Sequence, residues 1–279
     1  MNYNPDILDN VKAKEYNMMI HCDYEKVKLA KPIINPKFTR YIGVSKLVCE
    51  VHERLTGVKA ELCYNPLYID KPNVKKKTDK IHIVCATRLS SEKGGWRIDK
   101  FSEIMDKSRI DYDLTIFTNK HPHFSSPNII IKEPKLDLTK EMAEATFLLQ
   151  LSDAEAYCYS VVESVSLGTP VIITDLPVYN ELNINDSNSI KIDLNMSNFN
   201  PKMLLKEFKF TYTPPKDNWS KYLSTNKTYN PNELVQVRVL KNKLWLVEED
   251  KHLVKGDIEE LTMQRAAYLE SKDYVEVLC

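Results

Sequence analysis

The chain has 279 residues, of which 43% are hydrophobic and 28% charged, a composition typical of a soluble globular protein of about two domains. Thirty-nine basic side chains balance thirty-nine acidic ones, so a nucleic-acid-binding role has no electrostatic support. Six cysteines without CxxC spacing argue against a zinc site and indicate free thiols in a reducing compartment. The polar first residues predict no signal peptide, and no apolar run approaches the roughly 20 residues that cross a bilayer, so we expect a cytoplasmic protein.

The first 66 residues are predicted to form part of an α/β domain. The apolar pattern predicts short strands at 17–22, 40–44 and 60–64, and a helix at 46–55 that Ser45 caps and Gly57 ends. Asn65-Pro66 closes this part, and the Pro- and Lys-containing stretch 67–79 is typical of a linker.

Strands and helices alternate clearly in residues 80–193. Strands are predicted at 81–86, 114–118, 128–132, 147–151, 171–174 and 189–192, and helices at 95–107, 138–145 and 160–167. This alternation is typical of a parallel, doubly wound sheet, so the predicted fold class is α/β with one complete Rossmann-like domain.

The remainder is predicted as a helix-poor extension, 194–233, and a small appended α+β module, 234–279. In the module we expect strands at 234–240 and 243–248 joined as a hairpin around Lys241-Asn242, a helix at 263–269 after Thr262, and a strand at 274–278.

Two basic residues follow the first strand of the main sheet. Arg88 and Lys93 lie between strand 81–86 and helix 95–107. Two cations beside the free amides and the positive dipole end of a helix suit a diphosphate. The alternative is that both are ordinary surface residues.

Two acidic residues follow the fourth strand, Glu155 on the loop and Glu163 on helix 160–167. Because parallel strands end at one edge of their sheet, we expect these carboxylates near Arg88 and Lys93, where they suit sugar hydroxyls. The alternatives are that Glu155 is a solvated loop acid and that Glu163 completes a helix capping box with Ser160.

These motifs, in this order, resemble the retaining glycosyltransferases of family 4 (glycosyl transferases group 1), which have the GT-B fold of two facing Rossmann-like domains. The resemblance spans about residues 17–193. The matching residues are Val44-Ser45, Asn65-Pro66, Thr87-Arg88-Leu89, Glu92-Lys93-Gly94, the run 152–163 leading into 167–172, and Glu181.

The resemblance implies that Arg88, Lys93 and Gly94 hold the donor diphosphate, that Glu155 contacts the donor sugar and that Glu163 binds the ribose. It also implies donor contacts from Ala156, Tyr157, Cys158, Tyr159 and Ser160 on the loop between the two acids. His21 matches the amino-terminal-domain histidine that faces the donor; alternatively, it is a satisfied histidine at a strand end. The implied reaction moves a hexosyl group with retention from a nucleotide sugar, UDP-linked, to a cell-surface glycan or its precursor, with Arg88, Lys93, Glu155 and His21 in catalytic roles and without a metal or other cofactor.

The sequence departs from the family at two places. Ala156 and Cys158 stand where the family has a glycine on each side of the loop aromatic. Residues 17–65 match only the last portion of the amino-terminal domain, so we expect a shortened acceptor side, completed by a second copy or a partner subunit. A non-catalytic nucleotide-sugar-binding subunit, acting as a regulator or scaffold, is therefore an alternative function, and a sugar-nucleotide epimerase is a third.

Overall fold

A computed structural model describes residues 15–27, 31–120, 122–222, 234–241, 243–246, 251–262, 265–266, 269 and 274–278. Within these ranges, no helix is both long and apolar enough to span a membrane. The chain divides into two compact units, one up to Trp219 and one from Ser220.

The first unit begins with a small parallel sheet of strands β1 (Asn17–Ile20), β2 (Arg40–Gly43) and β3 (Glu61–Leu62), in the order β1-β2-β3. Helix α1 (Lys46–Thr56) follows β2. The side chain of Ser45 accepts the Val48 amide at 3.3 Å, and Gly57 ends the helix in the left-handed conformation, with φ +71. The predicted strands, helix and caps of this portion are confirmed.

A six-stranded parallel sheet forms the centre of the first unit. Its strands are β4 (Ile81–Ala86), β5 (Tyr112–Phe117), β6 (Ile129–Lys132), β7 (Phe147–Gln150), β8 (Val171–Thr174) and β9 (Ser189–Ile192). The spatial order is β6-β5-β4-β7-β8-β9, so the direction of winding reverses between β4 and β7. The prediction of a doubly wound sheet is confirmed.

Helices cover both faces of this sheet, because side chains of successive strand residues point to opposite faces. Helix α2 (Gly95–Lys107) covers one face. Helices α3 (Thr139–Glu144), α4 (Tyr159–Ser166) and α5 (Pro177–Glu181) cover the other; the sequence did not predict α5. The first core contains Ile83 and Cys85 of β4 with Ile98, Phe101 and Met105 of α2. The second contains Val84, Met142, Val161, Val165 and Tyr179.

One carboxylate joins the small sheet to the large one. Glu181, the last residue of α5, accepts the amides of Lys46 at 2.7 Å and Leu47 at 3.2 Å, which are the first two of α1. The Tyr64 hydroxyl also donates to Glu181, at 3.2 Å. An acidic group at a helix amino terminus satisfies otherwise unpaired amides and favours the helix dipole. Glu181 therefore fixes the amino-terminal portion against the Rossmann-like sheet.

The second unit contains strands β10 (Leu234–Val239), β11 (Lys243–Leu246), β12 (Lys251–Val254), β13 (Ile258–Thr262) and β14 (Val275–Val277). The predicted hairpin is wrong: β10 pairs with β13 and β14, whereas β11 pairs with β12. Alternation identified both strands but could not identify their partners, since β12 and β13 were not predicted. Of the helix predicted at 263–269, Arg265, Ala266 and Leu269 are helical and the rest lies outside the described residues.

Candidate functional site

The candidate site lies where the winding of the sheet reverses, at the carboxyl ends of β4 and β7. A short 3₁₀ turn, Ser91–Lys93, follows β4, and the loop 151–158 follows β7. The Lys93 Nζ donates to the Glu155 Oε1 at 2.6 Å. The structure thus brings together one cation and one carboxylate that the sequence placed at the same sheet edge, which is where open α/β sheets bind ligands.

Glu155 is not a solvated loop acid, because its side chain is only 9% exposed. Ser152, which is fully buried, donates to its Oε1 at 2.6 Å. Gln150, the last residue of β7, donates to the same oxygen at 3.2 Å. Three donors on one carboxylate oxygen hold this acceptor in a fixed orientation.

Gly94 brings the two loops into close contact. Its backbone is left-handed, with φ +69, and a Cβ here would lie 1.9 Å from the Leu151 carbonyl oxygen. That oxygen also accepts from the buried Arg97 at 3.1 Å, and the Asp153 amide donates to the Glu92 carbonyl at 2.8 Å. Only glycine fits at this position, and the contact sets the place of the adjacent Lys93.

Helix α4 begins at the same edge. Its N-cap is Cys158, with φ +65 and ψ +79, and the helix starts at Tyr159. Ser160 therefore lies in the first turn and is not the N-cap, which excludes the alternative interpretation of Glu163 as the partner of Ser160 in a capping box. Left-handed backbone is uncommon for residues other than glycine, so Cys158 has the backbone conformation that glycine most readily adopts. The first amides of α4 and its positive dipole end lie beside the loop that carries Glu155.

The aromatic residues of this loop have different environments. The Tyr157 side chain is buried, and its hydroxyl donates to the Asn65 carbonyl at 3.2 Å. Tyr159 is 38% exposed, and its ring lies 5.2 Å from that of Tyr157. Ala156 packs against the apolar clusters of both the small sheet and the large sheet. The loop is thus anchored at the junction between the two sheets.

The other predicted site residues lie around this centre. Arg88 is 76% exposed, and its guanidinium lies 3.8 Å from the Glu92 carboxylate. Glu163 is half-buried on α4. Burial is the main cause that raises the pKa of the Tyr157 hydroxyl, and the charges of Asp217 and Glu163 add to that rise. His21 is exposed and directly follows β1. In the described part of the chain, Arg88 pairs with Glu92 and not with Glu155.

Two other ionisable groups of the site are neutral near pH 7. Burial raises the pKa of the Cys158 thiol to about 12, and the nearby Glu155 carboxylate adds to this shift. Burial also raises the pKa of Tyr179, whose ring is fully buried beneath the loop, well above its usual value. The charge at the centre of the site is therefore that of Lys93 and Glu155.

The sequence did not identify Gln150, Ser152 or Arg97 as parts of this arrangement. The sequence signal for Gln150 was weak, because Gln150 is a single polar residue at the end of the apolar strand Phe147–Gln150. Arg97 is 5% exposed and donates to the carbonyls of Leu151 and Leu194, so its role is to hold the loops.

No protein-family model and no curated protein match the sequence. Solved structures do resemble the fold. TarM matches with a TM-score of 0.57 at 12% identity, over 72% of this chain and 45% of TarM. WaaG, a glycosyltransferase involved in lipopolysaccharide biosynthesis, matches with a TM-score of 0.55 at 17% identity, over 71% of this chain and 69% of WaaG. HepE of Anabaena, solved with UDP-glucose, matches with a TM-score of 0.52 at 14% identity, over 66% of this chain and 60% of HepE.

This chain therefore spans about half the length of TarM and 60% of HepE. The likeness shows that the chain shares its α/β fold with glycosyltransferases of the GT-B type.

Proposed function

We propose that this chain binds a UDP-linked sugar across the Lys93–Glu155 pair and transfers the sugar, with retention, to a glycan acceptor. The observation that carries this proposal is the 2.6 Å contact between Lys93 and Glu155 at the reversal of the sheet, with Glu155 almost fully buried. A cation beside helix amides suits a diphosphate, and a buried carboxylate suits a sugar hydroxyl. A nucleotide sugar carries both groups.

Each side chain has a distinct role in this proposal. Lys93 and the amino terminus of α4 bind the diphosphate, and Arg88, which is largely exposed, turns toward it when the donor binds. These positive groups stabilise the charge that develops on the departing diphosphate, which is the main catalytic contribution. Glu155 orients the sugar, and Glu163 on α4 binds the ribose hydroxyls.

The donor type and the stereochemistry of the proposed reaction are inferred from similarity to known glycosyltransferases. HepE, whose fold this chain shares, was solved with UDP-glucose, which supports a UDP-linked donor. The family that the motifs resemble retains configuration without a metal, and its histidine at the position of His21 faces the donor. We extend these properties to this chain as part of the proposal.

A second candidate is a non-catalytic nucleotide-sugar-binding subunit. It is supported by the small size of the described amino-terminal sheet, which has three strands. In either case a second copy or a partner subunit would complete the acceptor side. The two functions differ in one observable: an enzyme releases UDP when an acceptor is added, whereas a binding subunit does not.

The proposal is tested by calorimetric titration with UDP and UDP-sugars and by an assay for released UDP. Lys93→Ala removes a charge-assisted contact worth about 1.5–3 kcal/mol, so UDP affinity should fall roughly 10- to 100-fold. Lys107→Ala removes the same charge from the far end of α2, about 18 Å along the helix, and should leave affinity unchanged. Equal affinities for the two variants would refute the diphosphate site.

Glu163→Gln tests the ribose contact separately. We expect weaker UDP binding with little change in melting temperature, since Ser160 is not the N-cap of α4 and the two residues form no capping box. A large fall in melting temperature with normal UDP affinity would show that Glu163 stabilises the fold instead.

A further inference from the structure

Gln150 is a buried polar residue with a specific orientation. It ends β7, it is 3% exposed, and its Nε2 donates to the Ser152 Oγ at 2.7 Å and to the Glu155 Oε1 at 3.2 Å. An ionised carboxylate only accepts hydrogen bonds, so the amide nitrogen, and not the amide oxygen, must face Glu155. The orientation of the amide is therefore determined by its neighbours.

Ser152 continues this arrangement. Its hydroxyl has one proton, which it donates to the Glu155 Oε1 at 2.6 Å, and its lone pairs accept from Gln150. Gln150 thus supports Glu155 twice, directly and through Ser152. Hydrogen bonds linked in this way polarise and strengthen one another in a buried site.

The arrangement also has a cost to the fold. The Gln150 Oε1 is buried and has no hydrogen-bond partner among the described residues. A buried polar atom without a partner destabilises a protein, and an apolar residue would avoid that penalty at the end of this apolar strand. Such a cost is typical of residues that serve a functional site.

The contacts of Glu155 are asymmetric. Lys93, Ser152 and Gln150 all donate to Oε1. We infer that Gln150 and Ser152 are positioning residues that hold Oε1 toward the protein and present Oε2 to the donor sugar as an acceptor. This inference rests on the proposed function. Because a fixed acceptor needs a donor, the site selects sugars that carry a hydroxyl at this contact over their deoxy analogues.

The experiment compares two affinities in each variant, that for UDP and that for a UDP-sugar. The probe is whichever of UDP-glucose, UDP-galactose and UDP-N-acetylglucosamine the wild type binds most tightly. In Gln150→Met, which has a similar shape and donates no hydrogen bond, the affinity for the UDP-sugar relative to UDP should fall about tenfold while UDP affinity is unchanged. Ser152→Ala should have the same effect. Ser166→Ala, which removes a hydroxyl that donates to the Val162 carbonyl on α4, is the matched control and should not.

Gln150→Glu adds a readout that simple packing would not give. The new carboxylate would lie beside Glu155, and the titratable groups around the pair are Lys93, Cys158 and Tyr179. Two adjacent carboxylates favour sharing one proton. Binding of the UDP-sugar should therefore be weak at pH 7.5 and recover toward pH 5, whereas Gln150→Met should show the pH dependence of the wild type.

The outcomes separate this inference from the proposed function. A wild type that binds neither UDP nor any of the three UDP-sugars refutes the proposed function. A wild type that binds, with a folded Gln150→Met variant whose preference between UDP-sugar and UDP is unchanged, overturns the positioning role. The role is also overturned if Gln150→Glu binds weakly at every pH from 5 to 7.5.

Discussion

Gly94→Ala tests whether backbone contact between two loops builds the site. Gly94 has φ +69, and an added Cβ would lie 1.9 Å from the Leu151 carbonyl oxygen and 2.9 Å from the Arg97 guanidinium. The side chain of Arg97 can move, but the carbonyl belongs to the backbone at the end of β7. The loops that carry Lys93 and Glu155 must therefore separate to admit the methyl group.

The structure allows the cost to be divided into two parts. A left-handed conformation costs a residue other than glycine about 1–2 kcal/mol. Gly168 has φ +82 and nothing within 4 Å of an added Cβ, so Gly168→Ala carries this part alone. Gly94→Ala carries the overlap as well, and we expect a total of roughly 3–5 kcal/mol, the range of severe core changes.

The free energy of unfolding is measured by urea titration. A Trp245→Phe background leaves Trp96 and Trp219, both in the first unit, as fluorescent probes of that unit. Gly168→Ala should lower stability by about 1–2 kcal/mol and leave UDP affinity unchanged. Gly94→Ala should lower it by about 2–3 kcal/mol more, with loss of UDP binding.

The difference in the free energy of unfolding between Gly94→Ala and Gly168→Ala tests the close contact between the two loops. If Gly94→Ala destabilises the protein no more than Gly168→Ala, then the two loops do not approach as closely as described. The fixed position of Lys93 would then need another explanation.

Two further predictions concern the amino-terminal portion. Glu181→Ala should destabilise the start of α1 by about 1–2 kcal/mol, because the Lys46 and Leu47 amides lose their acceptor, and the first-turn amides of α1 should then exchange their hydrogens faster. The control is Glu50→Ala, at an exposed position of the same helix; equal exchange rates in the two variants would contradict the Glu181 contact. His52 is 1% exposed and stacks on Tyr41, and burial lowers its pKa. Its neutral form is therefore favoured in the fold, so the stability it supports is full above an unfolded pKa of about 6.5 and is lost as the pH falls below it. As the pH is lowered from 7.5 to 5, the free energy of unfolding of His52→Phe, measured by urea titration, should rise relative to that of the wild type. A difference between the two proteins that stays constant over this range would contradict the prediction.

Much of the fold followed from local patterns. Apolar runs separated by helical periodicity predicted every strand of the large sheet, and the order of the motifs placed Lys93 and Glu155 at one edge. These features are visible in a sequence because strand alternation and the parallel βαβ connection are set by neighbouring residues.

The errors share a cause. The helix predicted to begin at Ser160 starts one residue earlier, at Tyr159, because Cys158 takes a left-handed conformation, so the alternative capping box of Ser160 and Glu163 does not form. The strands around Lys241-Asn242 look like a hairpin, but each pairs with a strand that comes later in the chain. Spacing alone does not determine which backbone groups find partners.

The sequence by itself determined the α/β class and placed Lys93 and Glu155 at one edge of the sheet, because periodicity and motif order are local properties. Only the tertiary structure decided which oxygen of Glu155 is occupied, and that Gln150 and Ser152 occupy it. It also decided that Gly94 must be glycine against the Leu151 carbonyl. The Gly94 contact and the Lys93–Glu155 pair join loops about 60 residues apart, and such contacts exist only once the sheet has brought the two loops together. Gln150 and Ser152 lie within five residues of Glu155, so their contacts depend on how the loop after β7 folds back on the end of its strand.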